Sequence, residues 1–383
     1  MKQITLNGCI VSLIYSIFFI ASTEAKAGKL QESISIPTID ISNQKERHSF
    51  VARGTPEIYN GHTDTVLLPD GKTMYCAWMI NHADRFGSLA RSEDGGKTWS
   101  KPLEVPKDWY EVRRTTPTLH RLVDPRGVAR LFIFAGCDFP GRLRQSYSED
   151  NGRTWTPIKD TGLAAEAPPK SILSFDGGKR LLMWGACCDV TAPGKWLNPT
   201  VWISESYDGG LSWTPERNVV RAHSRWSQPS VILSPDGKQL LMLLRNESNL
   251  SLYSVSNDQG KTWSEVGELP QALTGHRHKM HYAPDGRLVV VMRDTAPASK
   301  TKGNYVAWVG NYDDIVSGRE GQYHIKLLHS YAGWDCGYSG LVLLPDGTFV
   351  ATTYIKYEPG PKKHSVVTTR FKLEETDKMK PME

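Results

Sequence analysis

A chain of 383 residues with 46 Lys and Arg against 41 Asp and Glu carries a formal charge of only +5. No basic run exceeds three residues, which points away from nucleic acid as a partner. Frequent Gly (33), Trp (12) and Tyr (15), with no heptad pattern or long amphipathic stretch, exclude a coiled coil or helical bundle and suit an aromatic, turn-rich β protein.

The predicted elements begin with a leader. Lys2 precedes an apolar stretch from Cys9 to Ala21, and Ala25-Lys26-Ala27 follows as a small-x-small cleavage signal. Residues 1–27 therefore read as a signal peptide, and 28–383 as a mature chain of charge +4, secreted or periplasmic. The apolar stretch is too short for a comfortable membrane span, so no membrane insertion is expected after cleavage. Next, Ser33 to Ile41 alternate polar and apolar residues as an edge strand does.

From there two repeating turn signals run to the end. The first is a Gly-containing hairpin turn between apolar runs, at Asp70-Gly71, Arg126-Gly127, Asp176-Gly177, Asp236-Gly237, Asp285-Gly286 and Asp346-Gly347. The runs after them, such as Leu240–Leu244 and Leu288–Met292, read as buried central strands. The second is the phrase Ser-x-Asp-x-Gly-x-Thr/Ser-Trp, starting at Ser92, Ser148, Ser206 and Ser256, at intervals of 56, 58 and 50 residues. Its Asp can accept bonds from its own turn's N–H groups, its Gly permits positive φ, and its Trp can pack beneath the turn. A strand-rich repeat of this period predicts an all-β fold, a six-bladed β-propeller in one domain. Each blade has its hairpin between the first two strands; the first four also carry the Asp phrase between their outer strands. The segment 33–41 is expected to pair with the last blade around Ser365 to Lys372, closing the ring and removing exposed edges.

Five cysteines follow the leader (Cys76, Cys137, Cys187, Cys188, Cys336), an odd number that permits one bridge and requires none. The cluster His276-Arg277-His278-Lys279-Met280-His281 lacks a companion Cys or carboxylate at ligand spacing, so neither metal nor cofactor is expected.

A leader followed by six blades with Asp boxes resembles the sialidase superfamily. The match is sharpest at Gly337-Tyr338-Ser339-Gly340, where sialidases carry a Tyr-Ser pair opening the first strand of the last blade. The resemblance implies Tyr338 as nucleophile: a neutral phenol avoids the repulsion that a carboxylate nucleophile would suffer from a sugar acid. It implies Arg245 and Arg293, ending equivalent strands of blades four and five, as carboxylate-binding forks, with Arg277 as a rival. It implies Asp84, on the loop after the second strand of blade one, as acid/base.

Two positions depart from the family pattern. Blade one opens with Asn60-Gly61-His62-Thr63 and no arginine, leaving Arg53 or Arg114 nearby as substitutes. The glutamate that should activate the tyrosine is Gln228, an amide that can orient a phenol but cannot take its proton. The implied activity is an exo-acting, retaining glycoside hydrolase of sialidase type, monomeric, releasing an acidic terminal sugar from glycans. One alternative is a propeller lyase or atypical glycosidase on uronate-containing glycans, using His62 or His278 beside Tyr338 and Arg. Another is a non-catalytic carbohydrate-binding propeller, with Trp226, Trp334 and Tyr331 stacking on sugar faces.

Overall fold

The computed structural model describes residues 34–82, 84–113, 116–138, 141–192, 195–221, 227–247 and 250–380. Among them are six β-sheets in the manner of a propeller: four are built from consecutive antiparallel strands, and the last two each add one strand from the 34–52 region to consecutive antiparallel strands. The predicted leader, residues 1–27, lies outside the described residues. No helix among the described residues is long and apolar enough to cross a membrane.

Each predicted hairpin joins the first two strands of its blade, as Asn60–Leu67 and Met74–Ile80 in blade one or Ser230–Leu233 and Leu240–Leu244 in blade four. The second strands are continuous apolar runs because both their faces are covered; Leu240 to Leu244 are all buried, as are Leu288 to Met292. The first strands crowd the axis. A Cβ on Gly340 would stand 1.9 Å from Thr65 Oγ1, so only glycine lets blade six approach blade one there.

The Asp phrases fold as their chemistry requires. In blade three Asp208 Oδ1 accepts the N–H groups of Leu211 and Ser212 at 3.0 Å, and Oδ2 accepts the Ser212 hydroxyl at 2.5 Å. Ser206 Oγ donates to Asp208 and accepts the Gly210 N–H. The same bonds recur around Asp94, Asp150 and Asp258. The closing Trp of each phrase is thereby aimed into the seam with the preceding blade. Trp99 packs with Met74 of blade one and Val342 and Val350 of blade six. Trp155, Trp213 and Trp263 fill the next three seams.

Blades five and six lack the phrase, and a short helix occupies its place after the third strand. Tyr312–Val316 puts Tyr312 and Ile315 against Leu241 and Leu243 of blade four. Leu373–Asp377 puts Leu373 into the cluster that joins blades five and six.

Ring closure differs from the expectation. The strand completing blade six is His48–Ala52, antiparallel to Ser365–Phe371 with Ser49 opposite Thr368. The earlier segment, Thr38–Asp40, runs parallel to Tyr323–Leu328 as a fifth strand of blade five. Its alternation is real, but Ile39 and Ile41 are buried in the cluster shared by blades five and six, while Ile34 and Ile36 pack on that shared by four and five. Blade one has three strands, its fourth position reduced to a bridge between Arg85 and Arg113 and bonds from Ser100 and Leu103.

If the boxes exist to aim the seam tryptophans, Asp208→Ala destabilises the fold by about 1–2 kcal/mol while leaving the opposite end of the channel intact. Thermal unfolding read alongside any ligand binding checks this; an unchanged melting temperature contradicts it.

Candidate functional site

At the end of the channel opposite the hairpin turns, the first strands begin, and there the chain departs from regular β geometry. His62, Gln228, Arg277 and Asp335 all take positive φ (21°, 42°, 70° and 23°). Bulges shift the register between Gly61 and Thr63 and between His276 and Lys279. Such kinks re-aim side chains that a regular strand would direct into its faces, and non-glycine residues tolerate them only where surroundings hold them.

The re-aimed side chains meet at Tyr338, which is 6% exposed. Gln228 Nε2 donates to the Tyr338 hydroxyl oxygen at 3.0 Å. The Arg277 guanidinium carbon lies 3.2 Å from the centre of the Tyr338 ring, and the His62 ring lies 4.0 Å from it, centre to centre. The Lys170 amine is 5.4 Å from the same centre. Glu166, Lys170, Trp184, Gln228, Arg277 and Tyr338 line one small cavity.

The three arginines share this site. Arg277 is buried with no carboxylate partner among the described residues, and its Nε and Nη1 have no acceptor. Burial, with the charges of Arg245 and Arg293, holds its pKa well below the ordinary value. Arg245 donates to Glu247 at 2.7 Å, while its buried Nε lacks an acceptor; burial pushes its pKa down to about 10. Arg293 meets His276 Nδ1 at 2.6 Å, and burial together with Arg245 and Arg293 keeps that imidazole neutral. Two of these guanidinium groups, Arg245 and Arg277, have spare buried donors, and with Arg293 nearby they form a seat for an anion.

On the other side Asp335 gathers a network. Tyr59 and Tyr354 donate to its carboxylate at 2.8 and 3.0 Å, and His82 Nε2 lies 3.4 Å from it. Burial alone would raise its pKa; the bonds from His82 and Tyr59 outweigh that and hold it well below the usual carboxylate range. His82 also meets His62 at 3.3 Å, and His62 Nδ1 meets Thr116 Oγ1 at 3.2 Å.

Glu166 and Lys170 drew no notice in the sequence. Glu166 precedes the first strand of blade three as Gln228 precedes that of blade four, and a proline follows each within two residues. That shared position was the available signal. Glu166 Oε1 accepts the Gln228 backbone N–H at 3.1 Å; its Oε2 is buried without a partner. Burial pushes its carboxyl up to about 8, against the Gln228 bond and the charges of Arg277 and Arg245.

The other expected residues fall elsewhere. Asp84 is exposed on the loop two residues after His82, paired with Arg113 at 3.1 Å and with Asn81 at 3.3 Å. His278 is buried with Nε2 on the Leu273 carbonyl, and His281 bonds the Tyr282 carbonyl, so the three histidines of that run have separate partners. Arg53 lies over the Phe50 ring and takes no part in the cavity. Arg114 and Trp226 lie outside the described residues. Tyr331 and Trp334 are exposed just before blade six. Cys76 and Cys336 are free thiols.

This fold and its boxes agree with comparison to known proteins. The chain belongs to the BNR repeat-like domain family, whose model matches residues 148–351. No curated protein matches it. Among solved structures it is similar to a protein of unknown function from Dyadobacter fermentans, at 18% identity and TM-score 0.66, covering 85% of this chain and 97% of that one. It is also similar to a Penicillium chrysogenum alpha-L-arabinanase complexed with arabinobiose, at 16% identity and TM-score 0.60, covering 86% and 98%. A third is the intramolecular trans-sialidase of Ruminococcus gnavus in complex with oseltamivir carboxylate, at 16% identity and TM-score 0.55, covering 85% and 97%. At these identities the likeness is one of fold.

The Glu166 environment has a measurable sign. An unfolded carboxyl ionises near 4.5, whereas the folded one holds its proton to about 8. Between those values the folded state binds the extra proton, so this group's stability contribution is complete below 4.5 and is lost as pH rises through 8. Melting curves of Glu166→Gln against wild type are expected to diverge across that window, with wild type losing ground as pH rises; parallel curves contradict it.

Proposed function

We propose that the chain is a glycosidase acting on a terminal acidic sugar, exo-acting and retaining in the manner of sialidases. The observation that carries this reading is Arg277 on the face of a buried Tyr338, with the charges of Arg245 and Arg293 beside it and donors of Arg245 and Arg277 that no group among the described residues accepts. A sugar carboxylate supplies the planar anion those forks fit. Fold relatives with arabinobiose or a carboxylate ligand bound support a glycan in this class of channel. On this reading residues 1–27 direct export and 28–383 act as one secreted or periplasmic monomer.

With the carboxylate seated on the arginines, the Tyr338 oxygen attacks the anomeric carbon. The acid/base role is assigned to Asp84, which sits outside the Tyr338 cavity on the exposed loop that carries His82, with Arg113 and Asn81 as its present partners; it would give a proton to the departing oxygen and later take one from water. Gln228 directs its N–H at the phenol oxygen and so fixes the ring's orientation, but it accepts no proton.

A second reading has its own support. Because an amide replaces a carboxylate beside Tyr338 and His62 lies against its ring, a uronate lyase fits too. There the arginines neutralise the uronate carboxylate, and Tyr338 or His62 removes the proton alpha to it, leaving an unsaturated sugar. His278, held by Leu273, has no part in this.

Incubating the protein with sialyl and uronyl oligosaccharides under mass-spectrometric readout separates the two. Water addition, lost in Tyr338→Phe and Asp84→Asn, supports the hydrolase. An unsaturated product that survives Asp84→Asn and disappears in His62→Ala supports the lyase. Binding without any product leaves only a carbohydrate-binding propeller. For the hydrolase, Gln228→Glu is expected to raise kcat on sialosides at least about tenfold, since a carboxylate at that position can take the phenol proton; unchanged or lower kcat contradicts the assigned role of Gln228.

A further inference from the structure

The glycosidase reading leaves one step unsupplied: the proton of the Tyr338 hydroxyl has no acceptor in Gln228. Resting on that reading, we infer that Lys170 is this acceptor, reached directly or across one water within the cavity both residues line.

Lys170 is buried, yet no carboxylate pairs with it among the described residues. Its amine makes one long contact, 3.4 Å to the carbonyl of Ser339, the residue after the tyrosine. The alternatives are already committed. Glu166 takes the Gln228 N–H and is held neutral by burial. His62 lies against the face of the ring, with its nitrogens on Thr116 and His82. Asp335 serves Tyr59, Tyr354 and His82.

The charged and titratable groups around Lys170 come from three other blades. Lys279, whose amine donates to the Lys170 carbonyl at 3.3 Å, and Arg277 oppose a second cation. Asp64 favours one, but its carboxylate already accepts the Thr65 and Leu119 N–H groups and lies 3.7 Å from Lys279. His120 bonds the Pro169 carbonyl and is held neutral by burial. Burial pushes the Lys170 ammonium down to about 7, so a lone pair is available at neutral pH.

In the first half-reaction the amine takes the phenol proton and becomes ammonium. The Tyr338 oxygen bonds to the anomeric carbon as the glycosidic C–O bond breaks and the leaving oxygen receives its proton from the acid/base. In the second half-reaction water attacks the anomeric carbon and surrenders a proton to the acid/base. The tyrosine oxygen departs as phenolate and recovers its proton from Lys170, so every proton returns to its origin.

The test uses Lys170→Met and Lys170→Arg in the full-length protein, with melting curves as a folding control. Both are expected to lower kcat at least about 10²-fold with KM within a few-fold, because arginine preserves the charge but accepts no proton. Adding Gln228→Glu to Lys170→Met is expected to restore part of that loss. Recovery in Lys170→Arg instead shows that charge alone matters and overturns the assignment.

A readout independent of turnover is NMR of protein carrying ¹³Cε-lysine and ¹³Cζ-tyrosine. The Lys170 signal, identified by its loss in Lys170→Met, is expected to titrate near neutrality, well below the ordinary lysine value of ~10.4. The Tyr338 signal, identified with Tyr338→Phe, is expected to shift in step and to lose that shift in Lys170→Met. If Lys170 titrates with the other lysines, the assignment falls whatever the substrate. If the coupled titration is present and no acidic glycan is cleaved, the pairing stands and the glycosidase reading falls.

Discussion

The plugging of the seams between blades is the interaction on which the rest depends. A twisted four-stranded sheet has two apolar faces and cannot bury either alone, so every blade needs its neighbour. The structure meets this need at each junction with one or two large side chains delivered from the segment after the third strand. At four junctions these are tryptophans held by Asp boxes; at two they are delivered by short helices. The carboxylate that organises a box is surface chemistry, but its product is internal packing. Because the plug always enters the seam with the preceding blade, the ring is built with one repeated contact and needs no central hub.

With the blades locked at the turn end, the opposite end is free to depart from regularity. There the first strands carry left-handed residues and bulges, costs of about 1–3 kcal/mol each that a weaker scaffold would relax. The return on that strain is convergence: an amide, an arginine and an imidazole from three different blades all touch one tyrosine. Burial then adjusts the chemistry of what has converged. It depresses cations, raises Glu166, and leaves unsatisfied donors pointed into a small cavity.

Local signals were legible in the sequence because their physics is local. A hairpin glycine or an Asp box forms its bonds within a few residues, so blade count and the order of strands could be read directly. Tyr338, Gln228 and Arg245 were legible by register against those turns, and the bond between Gln228 and Tyr338 follows from equivalent positions in different blades. What could not be read was anything decided by long-range packing. Arg277 looked like a rival to Arg293 because a regular strand would face it away; a bulge turns it onto the tyrosine. Glu166 and Lys170 sit in a proline-containing approach to blade three with no periodicity, and their importance comes from burial alone. The closing strand was misassigned because two N-terminal segments can each extend a sheet, and alternation does not say which sheet.

That closure has a consequence for how the molecule comes to exist. Ser49 meets Thr368 across 319 residues of intervening chain, and Asp40 reaches Lys326 across 286. The same short stretch thus bridges the two blades made last, acting as a latch set by the beginning of the chain and fastened by its end. Contacts of such separation carry a large loop-closure cost and slow the search for the native state. Earlier blades can assemble pairwise as they emerge, but the circle stays open until the final strands arrive. The tyrosine and two of its arginines, Arg277 and Arg293, belong to those late blades, so the chemistry of the channel and the integrity of the ring appear in a single event.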